Sequence, residues 1–297
     1  MSQLAADPSH REPVRDSRQL TTTSLDEGRH LAYTRYGRPD GVPVVFLHGT
    51  PGSHRLGALF ETVAREQGIR LLALERPGYG HSTPWPSRSL RDAGTVVSAV
   101  LDDANIERAG LVAFSGGGPH ALATAVTRPD RVTRVDIVSG AVPPDVIEDQ
   151  PATQQLLAGL ATRVPTVLRG LFRGQAWLAA RLDPSVVVSQ YTAAGGAESI
   201  PDDAAAIVQA DFVTAFARHR NGAVTDFRNT VSDWRVDLAD LETDVCFWHG
   251  ENDTNVPIDG VRRLTAQLPT ATLRVLDEAD HLQTLLQSGP DVLARHG

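Results

Sequence analysis

Short apolar runs alternate with stretches of helical pattern along most of this chain. The runs fall at residues 19–24, 29–36, 43–47, 70–75, 109–114, 133–139, 243–248 and 272–276. Between them, residues near 54–67, 90–104, 117–128, 259–268 and 281–295 read as helices. The runs Val44-Val45-Phe46-Leu47 and Leu71-Leu72-Ala73-Leu74 are continuously apolar. That pattern suits strands covered by helices on both faces. Asp26-Glu27-Gly28 between the first two runs is a hairpin signal. An antiparallel start followed by βα repeats predicts an α/β fold with a doubly wound, mostly parallel sheet of eight strands.

The repeat is interrupted once. Residues 142–235 carry no strand pattern, only helical patches such as 154–161 and 203–218, broken by prolines and glycines. A plain loop of that length does not fit a compact domain. The stretch is therefore expected to be an inserted helical cap, with 18–141 and 236–297 forming the core and 1–17 a flexible tail. Leu157, Leu160, Val164, Leu168 and Leu171 recur at helical spacing and are expected to pack the insert's own core, with Pro165 kinking or splitting that helix. Two alternatives are a substrate-pocket lining and a membrane contact made with Arg163, Arg169 and Arg173.

Composition narrows the function classes. The chain has 297 residues, 41% of them hydrophobic, enough for a sizeable core. A formal net charge of −8 argues against a nucleic-acid partner, and all 28 basic residues are scattered arginines. One cysteine, Cys246, rules out an intramolecular disulfide and reads as a buried strand residue. Residues 1–17 lack a signal-peptide core, and no apolar stretch approaches a membrane span. The expected setting is cytoplasmic, with a small-molecule substrate and no membrane partner.

The chemistry gathers at strand ends. The run 109–114 stops at Ser115, and Gly116-Gly117-Gly118-Pro119-His120 lead into a helix-favouring stretch. A strand turning this sharply into a helix needs small neighbours and lifts the apical residue into an exposed position, the nucleophile elbow. Ala113 stands where the usual pattern has its first glycine. The turn aims the Gly116 amide at an oxyanion above Ser115, over a helix N-terminus. The run ending at Trp248 opens into His249-Gly250-Glu251-Asn252-Asp253, and Asp253 is favoured over Glu251 as the acid that orients a base. His281 follows the last strand and is favoured as that base among the ten histidines. His48 and His249 read as structural hydrogen bonders, His54 and His81 as surface or supporting residues, and His120 as turned away from the apex. The strand 43–47 runs into His48-Gly49-Thr50-Pro51-Gly52, where the Thr50 amide is the candidate second oxyanion donor, since Pro51 has none.

Together these motifs resemble the α/β-hydrolase superfamily, in particular its capped esterase-like and proline-iminopeptidase-like members. His48-Gly49-Thr50-Pro51-Gly52 is similar to that family's oxyanion loop, and Glu75-Arg76-Pro77-Gly78-Tyr79-Gly80-His81-Ser82 to its loop after the fourth strand. Ser115, Asp253 and His281 fall on its triad positions in the expected chain order. The resemblance implies a Ser-His-Asp hydrolase without cofactor or metal. A small carboxylic ester is the expected substrate. Aminopeptidase, C–C bond or lactone hydrolysis on the same triad is the alternative, with Glu198, Asp202 and Asp203 as the acids an aminopeptidase would need. A ligand-binding protein without catalysis is the third reading.

Overall fold

A computed structural model describes residues 19–26, 28–148 and 151–297. The tail expected over 1–17, and Glu27 of the hairpin turn, lie outside the described residues. The strands are β1 (Thr21–Asp26), β2 (Arg29–Gly37), β3 (Val42–Leu47), β4 (Ile69–Glu75), β5 (Ala109–Phe114), β6 (Val132–Val138), β7 (Val245–Gly250) and β8 (Ala271–Leu276). They form one sheet in the order β1-β2-β4-β3-β5-β6-β7-β8. β2 pairs antiparallel with both β1 and β4, and every other neighbouring pair is parallel. Each strand lies within two residues of its predicted bounds.

The continuous apolarity of the central runs has a direct cause. Val45, Leu47, Leu72 and Leu74 point into one core with helices α2 (Ala93–Asp103), α3 (Gly118–Thr127) and α9 (Ile258–Gln267). Their strand neighbours Val44, Phe46, Leu71 and Ala73 point into a second core with α1 (Glu61–Glu66) and α10 (His281–Ala294). Both faces are buried, so neither parity of the strand can be polar. Each such side chain contributes roughly 1.5–3 kcal/mol on full burial. Cys246 is one of these strand residues and is wholly buried.

Between β6 and β7 stand α4 (Ala152–Arg163), α5 (Pro165–Ala179), α6 (Pro184–Val188), α7 (Asp202–Ala215) and α8 (Asn221–Thr230). The chain breaks at Val164, and Pro165 starts α5, where a missing N–H costs nothing. Leu168 is fully buried there, and Phe172 stacks on Phe216 at 4.9 Å between centroids. Val164 and Leu171, expected in the insert's core, are instead 42% and 55% exposed. The split helix changes the phase: Leu168 and Phe172 take the inner face of α5, and Leu171 is left on the outer one. Among the described residues no helix is long and apolar enough to cross a membrane.

Candidate active site

Every residue singled out at the strand ends lies at one edge of the sheet. Ser115 follows the last residue of β5, Asp253 lies three residues beyond β7, and His281 opens α10 after β8. Ser115 holds φ +52°, a left-handed conformation that a non-glycine residue adopts only under constraint. Its neighbours explain the constraint. A Cβ on Gly117 would come within 2.3 Å of the Leu47 carbonyl oxygen, and one on Gly116 within 2.3 Å of Thr50 Oγ1. Only glycines let the elbow sit this close to the loop after β3. Ala113 is fully buried between β3 and β6, so its methyl is accommodated.

The candidate base and acid meet. His281 Nδ1 lies 2.7 Å from Asp253 Oδ2, with both side chains almost fully buried. The other carboxylate oxygen of Asp253 accepts the amides of Asn255 and Val256 at 2.9 Å each. Burial alone would raise the Asp253 pKa, but His281, His249 and the Val256 amide hold it below the usual carboxylate range. A carboxylate so held fixes Nδ1–H on His281 and leaves Nε2 to accept a proton. Glu251, the competing acid, is exposed, with Arg262 4.0 Å away. His281 packs against the Phe114 ring at 4.9 Å, and its carbonyl accepts from Ser139 Oγ. Asp280 and Gln283 cap α10 reciprocally, which fixes the first turn on which His281 stands.

Thr50 and Gly116 are also brought together. The Cβ position of Gly116 lies 3.2 Å from the Thr50 nitrogen, and that of Gly49 lies 3.4 Å from Ser115 Cβ. The oxyanion loop thus lies against the elbow. His48 and His249 are structural, as expected. His48 Nδ1 donates to the Gly49 carbonyl, and its Nε2 accepts the Arg76 amide at 3.2 Å. Burial, with Arg76 beside it, pushes its pKa well down, so it stays neutral. His249 donates to the Val256 carbonyl at 2.8 Å. His54 takes the supporting one of its two readings: it is buried, with Nδ1 2.7 Å from Glu75 Oε1. His81 lies nearby, 3.4 Å from the other oxygen of Glu75.

Two carboxylates that the sequence did not single out hold this loop from the cap side. Asp226 of α8 is 2% exposed and accepts from Arg76 at 2.8 Å, from Tyr79 Oη at 2.7 Å and from Arg88. His120 stands 3.4 Å from it. Arg76 donates in turn to the carbonyls of His48 and Gly49 and to Thr50 Oγ1. Burial would raise the Asp226 pKa, but Arg88, Arg76 and His120 hold it well below the usual range. Asp211 of α7 accepts the Ser53 amide at 2.7 Å, the Ser53 hydroxyl at 2.8 Å and the Leu56 amide at 3.2 Å. Among the described residues no cation pairs with it, and burial raises its pKa to about 7. Close approach of α8 requires glycine at 222, where a Cβ would meet the Tyr79 ring at 2.5 Å. The available signal was a lone acid within apolar residues, in Ala210-Asp211-Phe212 and Thr225-Asp226-Phe227.

An eight-stranded sheet with this strand order, a strained serine after β5 and an Asp–His pair after β7 and β8 defines a fold class. A sequence model of the alpha/beta hydrolase fold matches residues 42–286, and the chain belongs to that family. At the level of class it is a hydrolase. It is 27% identical over 248 residues to a 2-hydroxy-6-oxononadienedioate/2-hydroxy-6-oxononatrienedioate hydrolase of Cupriavidus pinatubonensis, covering 80% of each chain. It is also 27% identical to the non-heme chloroperoxidase CPO-A1 of Kitasatospora aureofaciens, covering 86% of this chain and 90% of that one. Among solved structures, the enol-lactonase from Burkholderia xenovorans LB400 superposes with a TM-score of 0.69 at 18% identity, over 92% of this chain and 98% of that one.

Proposed function

We propose that this chain is a serine hydrolase of small carboxylic esters. The observation that carries the reading is the strained Ser115, at φ +52°, on the same sheet edge as the 2.7 Å Asp253–His281 hydrogen bond. In this reading His281 Nε2 takes the Ser115 hydroxyl proton as Oγ attacks the acyl carbon. The amides of Gly116 and Thr50 hold the resulting oxyanion. Collapse of the tetrahedral intermediate breaks the ester C–O bond, and His281 returns the proton to the leaving alkoxide. Water, deprotonated by His281, then attacks the acyl-enzyme and releases the acid. Asp253 stabilises the imidazolium in both halves without itself being protonated.

The acids an aminopeptidase would need do not favour that alternative. Glu198, Asp202 and Asp203 are all exposed, the last two in the first turn of α7, where they complement the helix dipole. Lactone and C–C bond hydrolysis use the same Ser-His-Asp chemistry, which makes them the second substrates to try. The test is a nitrophenyl ester and a phosphonate probe on the purified protein. The wild type is expected to turn over the ester with an acyl-enzyme burst and to be labelled at Ser115, and Ser115→Ala to lose both. Undiminished turnover by Ser115→Ala would falsify the assignment.

A further inference from the structure

The outer surface of the cap departs from the ordinary pattern of a helix on a water-facing layer. The inner face of α5 is apolar and packed, through Leu168, Phe172 and Ala179. Its outer face is apolar as well: Val167, Leu171, Trp177 and Leu178 are 53, 55, 56 and 47% exposed. Gly170 and Gly174 lie between them, and a Cβ on either would meet nothing within 4 Å. A helix apolar on both faces has a second apolar neighbour or medium.

Charge says which. From Pro151 to Leu182 the chain holds four arginines, Arg163, Arg169, Arg173 and Arg181, and no acidic residue, in a protein of net charge −8. Among the described residues none of the four pairs with a carboxylate. Arg169 donates to Thr166, and Arg181 donates to the Trp177 carbonyl while stacking on its ring at 4.2 Å. A second copy of this face would bring like charges together. An anionic lipid surface would neutralise the arginines while burying the apolar strip, with Trp177 at headgroup depth, where indoles concentrate.

We infer that the α4–α5 face of the cap docks on bilayers rich in anionic lipid, lying on the surface without spanning it. This takes up the membrane contact that the sequence left as an alternative to its expectation of no membrane partner, and it does not depend on the ester reading, because binding is measured without turnover. The test is co-sedimentation of the full chain with phosphatidylcholine vesicles, with and without phosphatidylglycerol. The expected result is partition onto the anionic vesicles alone, weakened by salt, with a blue shift of tryptophan emission. Trp177→Phe should lose that shift, since Trp85 is part-buried, Trp234 and Trp248 are buried, and the chain has four tryptophans. Arg169→Gln with Arg173→Gln, on the outer half of the helix, should lower the partition coefficient roughly 30-fold, at about 1 kcal/mol for each arginine. No partition onto anionic vesicles overturns the inference. So does partition unchanged by the arginine pair, or a solution dimer that the same substitutions dissociate while vesicles bind nothing.

Discussion

Replacing Asp226 with asparagine probes the contact between cap and oxyanion loop at its centre. The side chain keeps its shape and loses its charge. In the native protein that charge faces the guanidiniums of Arg76 and Arg88 and the phenol of Tyr79, with all four groups buried. Removing one partner of a buried ion pair costs about 3–5 kcal/mol, chiefly because the remaining charge is left without compensation. Here two guanidiniums are left, and Arg88 already has Nε and Nη1 without partners. The loss should therefore fall in the upper half of that range. Part of it should reach catalysis. Arg76 also holds the carbonyls of His48 and Gly49, so its displacement shifts the Thr50 amide. Complete loss of one oxyanion donor costs about 2.7–4 kcal/mol, which bounds the fall in kcat at roughly 100–1,000-fold. The assay is urea unfolding alongside ester turnover, with Glu251→Gln as the exposed control, expected within about 0.5 kcal/mol of wild type. Asp226→Asn matching that control in both stability and kcat would refute the reasoning.

Further outcomes follow from the same contacts. Burial pushes the Asp211 pKa up to about 7, against about 3.9 for a free carboxyl, so between those values the native state binds the extra proton. Stability should then fall as pH rises from about 4 to 7, by on the order of 4 kcal/mol if this group acts alone. Asp211→Asn keeps the acceptor for Ser53 and Leu56 and should flatten that slope; an unchanged slope in unfolding titrations would contradict the assignment. Asp253→Asn should keep the fold but lower kcat on the order of 10³–10⁴-fold, by letting His281 take the wrong tautomer, and activity near wild type would remove Asp253 from the mechanism. Leu168→Ala should cost about 2–5 kcal/mol, whereas Leu171→Ala, one turn away and half exposed, should cost little; equal losses in thermal unfolding would show that α5 is rotated from the orientation described.

The parts legible in the sequence were those set by local rules. Val44–Leu47 and Leu71–Leu74 had to be strands buried on both sides, because no parity of either run is polar, and the two cores use the two parities. Ser115, Thr50, Asp253 and His281 could be located because each follows an apolar run that ends in small or polar residues. The insert was less readable. Its helices hide one apolar face against the core and show another, so the spacing of Val164, Leu168 and Leu171 did not reveal which way each points. His54 was left between a surface and a supporting reading, and Glu75, 21 positions further on, draws it inside. Asp226 lies 150 residues from Arg76, and its role depends on how the cap docks, a tertiary fact without local signature.

Asp226 also bears on modularity. The cap and the sheet do not meet as interchangeable parts joined at two hinges. The cap supplies the counterion for Arg76, which laces the candidate oxyanion loop, and for Arg88 beside it, and Asp211 supplies the acceptor that ends that loop. A cap grafted from a relative lacking a carboxylate at this place would bring a new pocket and at the same time leave two cations stranded beneath it. Exchange of specificity by cap swapping therefore requires the graft to carry α8, or the recipient to give up Arg88 with it.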